Sequence, residues 1–188
     1  IARQYEEAGI KTQAHRPGPI GRSHGTAAGN ASLTVPGTSQ DGSKALVPSE
    51  HVGADPAGFA IALRGAADSS GKGDFVAFCI TPDRPETGYG YIRRGAALDA
   101  GSDVARVAAF VEKPDAETAQ SYLDSGEYLW NSGMFVFSAK AYIDELERLD
   151  PAMMAACRKA YSASCSDPAF LRLDAGTFSA CPTDSFDY

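Results

Sequence analysis

The chain is poor in the residues that build a metal centre or a disulfide framework. Its four cysteines, Cys79, Cys157, Cys165 and Cys181, stand singly along 188 residues, without the close paired spacing that zinc ligation uses. Cys79 sits within an apolar strand and is expected to be a small buried hydrophobe. No apolar run approaches the ~20 residues that span a bilayer, so no membrane partner is expected. Positive charge is scarce too: 17 Lys and Arg stand against 24 Asp and Glu, a formal net charge of −7. A non-specific nucleic-acid binder needs a basic face to neutralise phosphates, and this balance argues against one. A small phosphorylated ligand is still allowed, because one lysine, one helix N-terminus and a divalent cation suffice to hold it. No G-x-G-x-x-G follows a strand with an acidic residue ~20 positions on, which weighs against a dehydrogenase-type dinucleotide domain. The opening Ile1-Ala2-Arg3-Gln4 has neither an initiator methionine nor the basic and apolar regions of a secretory signal, which fits a cytoplasmic protein and fits equally well a fragment whose true beginning is absent.

What is present begins irregularly. Residues 1–9 read as the end of a helix stopped by Gly9. From 11 to 44, Pro, Gly, Ser, Thr and His dominate and neither a period of two nor one of 3.6 is sustained, which predicts loop or disorder. A short apolar piece at 45–48 predicts a strand. Asp55-Pro56 then offers an N-cap and first helical position, with Phe59, Leu63 and Ala66 or Ala67 on one face and Gly71 and Gly73 closing the helix. Phe75–Ile80 is apolar on both faces, which predicts a strand in the middle of a helix-covered sheet. Val104–Val111 reads as another strand. Asp115 caps a predicted helix to about Ser125, with Ala116, Ala119 and Leu123 on one face. Met134–Phe137 is a predicted strand, and Ser138 caps a helix carrying Tyr142, Ile143, Leu146 and Leu149. Asp150-Pro151 and Asp167-Pro168 repeat the cap-then-proline signature, with Met153, Cys157 and Tyr161 along one helical stripe. Strands interleaved with helices predict an α/β sandwich with a mostly parallel central sheet, whose ligands sit at the carboxyl ends of strands.

Three polar segments carry the chemistry. Pro85-Glu86-Thr87-Gly88-Tyr89-Gly90-Tyr91-Ile92 follows the apolar strand, and its glycines let a ligand approach the main chain closely. By itself a GYG triplet is as well explained by a tight turn between strands. Glu112-Lys113-Pro114 ends another predicted strand. It is either a solvated ion pair worth little to stability or a carboxylate for vicinal hydroxyls beside an ammonium for a phosphate. Trp130-Asn131-Ser132-Gly133-Met134-Phe135 is either a turn feeding a core strand, with Asn131 satisfying the turn backbone, or a second polar wall.

Taken together these strings resemble the mannose-1-phosphate guanylyltransferase family of sugar nucleotidyltransferases. The resemblance is strong over roughly 46–188, poor over 11–44, and lacks family segments at both ends. It implies an incomplete Rossmann-like (GT-A-like) nucleotidyltransferase fold in one partial domain, 1–188, with 45–188 as its sugar-phosphate half. It implies nucleotidyl transfer from GTP to mannose 1-phosphate with Mg²⁺ as cofactor, giving GDP-mannose and pyrophosphate. By that resemblance Gly88, Tyr89, Gly90, Glu112 and Asn131 face the sugar, and Lys113 meets the phosphate and serves catalysis. Glu50, where the family has an Asp before His51, would hold the metal, and Arg22 in Pro19-Ile20-Gly21-Arg22 would meet the nucleotide. The family's glycine-rich triphosphate signature and its second metal-binding Asp are not in the 188 residues, so the chain alone is expected to turn over little. Two further readings stay open, a remnant that only binds a sugar phosphate and another nucleotide-sugar pyrophosphorylase, and a homo-oligomer is left open too.

Overall fold

The computed structural model of the chain describes residues 24–33, 42–48, 55–99, 103–167 and 170–181. They fall into two compact units, one within 42–138 and the other formed by 24–33 with 139–181. The first is a five-stranded sheet with two helices: β1 (Ser43–Leu46), α2 (Pro56–Ser70), β2 (Val76–Ile80), β3 (Gly90–Ala97), β4 (Ala105–Glu112), α3 (Ala116–Ser125) and β5 (Tyr128–Ser138). The second holds α1 (His24–Leu33), α4 (Ala139–Leu149), α5 (Pro151–Ser162), the paired β6 (Cys165–Asp167) and β7 (Phe170–Arg172), and α6 (Ala175–Ser179).

The sheet is built around β5. Val136 pairs with both Ala45 and Val76, and Trp130 with both Tyr91 and Ile80. So β2 runs along one edge of β5, while β1 and β3 share the other edge and β4 extends the sheet from β3. All of these pairings are antiparallel, which corrects the expected mostly parallel sheet. The apolar run at 75–80 suggested a strand buried on both faces. Instead β2 pairs with β5 alone among the described strands, at the margin of the sheet, and its last residues Cys79 and Ile80 are exposed. Cys79 is therefore not the buried hydrophobe that its neighbours suggested. A second correction concerns Trp130–Gly133, which lies inside β5 rather than in a turn before it.

One sheet face is covered by α3. Tyr91, Ala119 and Trp130 are buried together, with Tyr122 and Tyr128 stacked beside them at 3.8 Å. The helix forms here because Asp115 accepts the Thr118 N–H at 2.8 Å and Gly126, at φ 67°, closes it in the left-handed conformation. On the other face α2 is capped by Asp55, whose Oδ1 accepts the Gly58 N–H at 2.9 Å. Phe59 of that helix meets Phe78 at 5.5 Å yet stays partly exposed. Between α2 and the strands runs a groove of about 850 Å³ lined by Ile61, Ala62, Phe78, Ile92, Val104 and Leu129.

In the second unit, α1 lies within the stretch that composition marked as irregular. Its buried Ala28 and Ser32 are small, and a Cβ on Gly29 would stand 3.1 Å from the Cys157 Sγ, so close packing on α4 and α5 forms this helix where propensity does not. Asp150 caps α5 as expected, accepting the Met153 N–H at 2.9 Å. Asp167 does not repeat that role. It ends β6, and the next helix is capped by Asp174, which accepts the Thr177 N–H at 2.8 Å. Met153 and Cys157 are buried as the stripe predicted, whereas its third member Tyr161 is exposed, and burial pushes the Cys157 thiol up to about 12, which leaves it inert. Leu149 is largely exposed, unlike the rest of its helical face. No helix among the described residues is long and apolar enough to cross a membrane.

Two outcomes follow from the caps. Asp150→Ala should cost about 1 kcal/mol in urea denaturation, the usual worth of such a cap. The backbone and hydroxyl of Thr118 hold the Asp115 carboxyl below the usual carboxylate range, and those of Thr177 do the same for Asp174. A lowered folded-state pKa contributes stability above the unfolded value and loses it as pH falls through the folded one. Amide exchange at Thr118 and Thr177, corrected for intrinsic rates, should therefore stay protected near pH 6 and rise on acidification below about 4.

Candidate functional site

The three polar segments meet at one end of the sheet of the first unit. Gly90 of β3 pairs with Glu112 of β4, and Tyr91 pairs with Trp130 of β5. One step beyond that last pair, Asn131 follows Trp130 on β5 as Gly90 precedes Tyr91 on β3. Glu112, Gly90 and Asn131 thus form a row across three adjacent strands. Paired residues share a face and neighbours alternate, so this row lies on the face opposite the buried Tyr91 and Trp130. None of the three lines the groove beside α2.

Each member of the row is fixed locally. A Cβ on Gly90 would stand 2.7 Å from Glu112 Oε2 and 3.0 Å from Phe110 Cζ, so the Glu112 carboxylate lies over this residue only because it has no side chain. The Glu112 side chain is mostly covered, and its Oε1 meets the exposed Lys113 Nζ at 3.0 Å. The Lys113 N–H donates to the Tyr89 carbonyl at 3.1 Å, which ties the end of β4 to the glycine loop. Lys113 adopts φ 46°, the one positive value recorded for a residue other than glycine among the described residues. Such a backbone costs an L-residue roughly 1–2 kcal/mol and is held here by its surroundings.

Asn131 opens a bulge. Between its two registered stretches β5 advances four residues, Asn131 to Phe135, while β2 advances two, Cys79 to Ala77. The bulge supplies its own partners. Asn131 Oδ1 accepts the Gly133 N–H at 3.1 Å, and Ser132 Oγ donates to the Phe78 carbonyl at 2.7 Å and accepts the Met134 N–H at 3.1 Å. Gly133, at φ 71°, makes the turn that a side chain would strain. The local role that an Asn at this point can play is thus observed directly.

The glycine loop is braced from within. Its Glu86 N–H donates to the Tyr91 hydroxyl at 2.9 Å, and Glu86 Oε1 accepts the Gly88 N–H at 3.1 Å. Tyr89 stands edge-on to Trp130, with centroids 5.3 Å apart. Sequence reading gave Glu86 and the Tyr91 hydroxyl no role, although a carboxylate two residues ahead of a glycine is a visible signal for an internal staple.

The structure therefore brings Gly88, Tyr89, Gly90, Glu112, Lys113 and Asn131 to one sheet end. Glu50 and Arg22 lie outside the described residues, as does the Pro182–Tyr188 string. Among the described residues no group of three His, Cys, Asp or Glu could hold a metal ion.

The chain is similar to known proteins along most of its length. The family model described as nucleotidyl transferase matches residues 7–181. Xanthan biosynthesis protein XanB of Xanthomonas campestris pv. campestris (strain B100) is 44% identical over 187 residues, 100% of this chain and 39% of that protein. The mannose-1-phosphate guanylyltransferase of Escherichia coli (strain K12) is 45% identical over 174 residues, 90% of this chain and 36% of that one. The chain thus spans less than half the length of these relatives. A crystal structure described as mannose-6-phosphate isomerase from Helicobacter pylori superposes with a TM-score of 0.85 at 26% identity, over 99% of this chain and 71% of that one. One described as mannose-1-phosphate geranyltransferase from Thermus thermophilus gives 0.77 at 27% identity, over 100% and 51%.

The left-handed backbone at Lys113 is open to test. Lys113→Gly should leave stability unchanged or raise it by up to about 1 kcal/mol, because released strain offsets glycine's added chain entropy. Lys113→Val, with a branched Cβ at the same φ, should cost roughly 1–2 kcal/mol in urea denaturation.

Proposed function

The chain belongs to the nucleotidyl transferase family, and we propose that it supplies the sugar-phosphate half of a mannose-1-phosphate guanylyltransferase. In that reaction a phosphate oxygen of mannose 1-phosphate attacks the α-phosphorus of GTP and pyrophosphate leaves. The observation that carries the reading is the row Glu112–Gly90–Asn131 with Lys113 at its margin. It offers a carboxylate, open backbone and a carboxamide within one short span, beside an ammonium.

Each group has work suited to its chemistry. The Glu112 carboxylate accepts hydrogen bonds from vicinal hydroxyls. Gly88 and Gly90 let the hexose ring approach the main chain, and Tyr89 walls it. Lys113 attracts the phosphate as a point charge and steadies the negative charge that grows there during transfer. Its ion pair with Glu112 holds the amine near the row until a phosphate competes for it. The strained backbone supports the same reading, since non-glycine residues at positive φ gather at functional sites. No covalent enzyme intermediate is needed: the protein positions two anions and offsets their charge.

GTP, Mg²⁺ and a cytoplasmic setting enter this reading through the family, with Glu50 offered to the metal and Arg22 to the nucleotide. No step is assigned to the cation. The Escherichia coli relative named above, whose name concerns mannose 1-phosphate, supports mannose over another hexose.

Calorimetric titration of the 188-residue chain with mannose 1-phosphate is the direct test, and saturable heat at millimolar ligand or below is expected. Its absence would end this reading. Lys113→Met should weaken binding by about 1.5–3 kcal/mol, the scale of a hydrogen bond to a charged group. Gly90→Ala should also weaken binding by at least tenfold, about 1.4 kcal/mol, because the new methyl displaces the Glu112 carboxylate, while the melting temperature changes little.

A further inference from the structure

Both ends of the glycine loop rest on one indole ring. Arg84, just before the loop, places its Cζ 5.1 Å from the Trp130 ring centroid. Tyr89, within the loop, meets the same ring edge-on at 5.3 Å. Trp130 itself is buried in β5, immediately ahead of Asn131, and its Nε1 finds no hydrogen-bond partner among the described residues. An indole so placed contributes its π-face, which a guanidinium covers well because it is planar, delocalised and weakly hydrated.

Arg84 also gathers the acidic groups around it. Its NH1 lies 2.9 Å from Asp83 Oδ1, and its Nε lies 3.5 Å from Glu86 Oε2. The other oxygen of Glu86 accepts the Gly88 N–H, and the Glu86 N–H donates to the Tyr91 hydroxyl. A chain of contacts thus runs from Trp130 through Arg84 and Glu86 to the backbone of Gly88, and returns to Trp130 through Tyr89. Half-exposed ion pairs of this kind add little to global stability. Their effect falls on the conformation of the loop that they close.

We propose that Arg84 is a positioning residue: clamped on Trp130, it fixes the 85–90 loop in the one shape that presents Gly88 and Gly90 to a hexose phosphate. The consequence for ligand affinity rests on the sugar-phosphate reading above, but the clamp itself does not. Among the described residues Arg84 makes its ion pairs with Asp83 and Glu86 and its ring contact with Trp130, and it acts on the Glu112–Gly90–Asn131 row through Glu86 and Trp130. It also couples two of the three motifs, since the ring it covers belongs to the strand that delivers Asn131.

The test uses the 188-residue chain, its Arg84→Met and Arg84→Lys variants, and mannose 1-phosphate as the probe. Amide exchange at Gly88 and Glu86 is read without ligand. In Arg84→Met it should accelerate about fivefold to tenfold, the combined scale of an exposed cation–π contact and a surface ion pair. Trp130 is the one tryptophan of the chain, so its emission should change in the same variant. The melting temperature should hold, mannose 1-phosphate should bind about fivefold to tenfold more weakly, and Arg84→Lys should recover part of both effects. Unchanged exchange at Gly88 overturns the clamp. So does faster exchange spread evenly over the sheet with a lower melting temperature, which would make Arg84 a mere structural prop. Wild-type chain that takes up no mannose 1-phosphate, with Gly88 exchange still dependent on Arg84, overturns the sugar-phosphate reading and leaves the clamp standing.

Discussion

A single eleven-residue strand, β5, has to serve both margins of its sheet, and the candidate site follows from how it does so. One margin is taken by β2 along most of its length. The other is divided, with β1 on the C-terminal part and β3 on the N-terminal part. Among the described strands none is registered against 131–134 on the divided side, so the ladder there stops and restarts. Backbone groups released from a ladder must find partners elsewhere or lose stability. The sequence Asn131-Ser132-Gly133 answers that demand with two short polar side chains and one residue tolerant of positive φ. The gap in pairing is thus where a polar, close-approach surface is structurally cheapest to build.

The same economy appears across the row. Gly90 leaves space that the Glu112 carboxylate fills, and Lys113 turns out of β4 through a conformation few lysines adopt. Beneath it, the packed layer of Tyr91, Ala119, Tyr122, Tyr128 and Trp130 contributes the apolar burial that offsets this strain. Dispersion contacts on one face of the sheet therefore support a polar, partly strained arrangement on the other. That division explains why the aromatic residues of these motifs sit next to the functional ones in sequence, since strand alternation sends neighbours to opposite faces.

How far the chain could be read without coordinates depended on how local each signal was. Caps were legible: Asp55, Asp115 and Asp150 each accept the N–H three residues on, as their spacing implied. Strand positions at 45–48, 75–80 and 104–111 were close for the same reason. Strand direction was not legible, because an apolar run at 75–80 looks alike in a buried parallel strand and in a marginal antiparallel one. Helix α1 was invisible, since its residues are small and weak in propensity and are held by close packing around Gly29 and Cys157. The bulge inside β5 escaped because its turn chemistry mimics a loop. The row itself could be suspected from motif likeness, but its alignment on one face is a fact of register, which sequence does not contain.

The composition of β2 and the residue before it has a further consequence. Phe75-Val76-Ala77-Phe78-Cys79-Ile80 is uncharged, free of proline and strongly extended in preference, and among the described strands β2 pairs with β5 alone. Such a hexapeptide is a template for self-templated fibrillar growth when chains are concentrated or warmed. Concentrated or aged preparations would be expected to fail first along this ribbon, directly beside the strand that carries Asn131, and a lysine in place of Cys79 would be the gatekeeper that slows it.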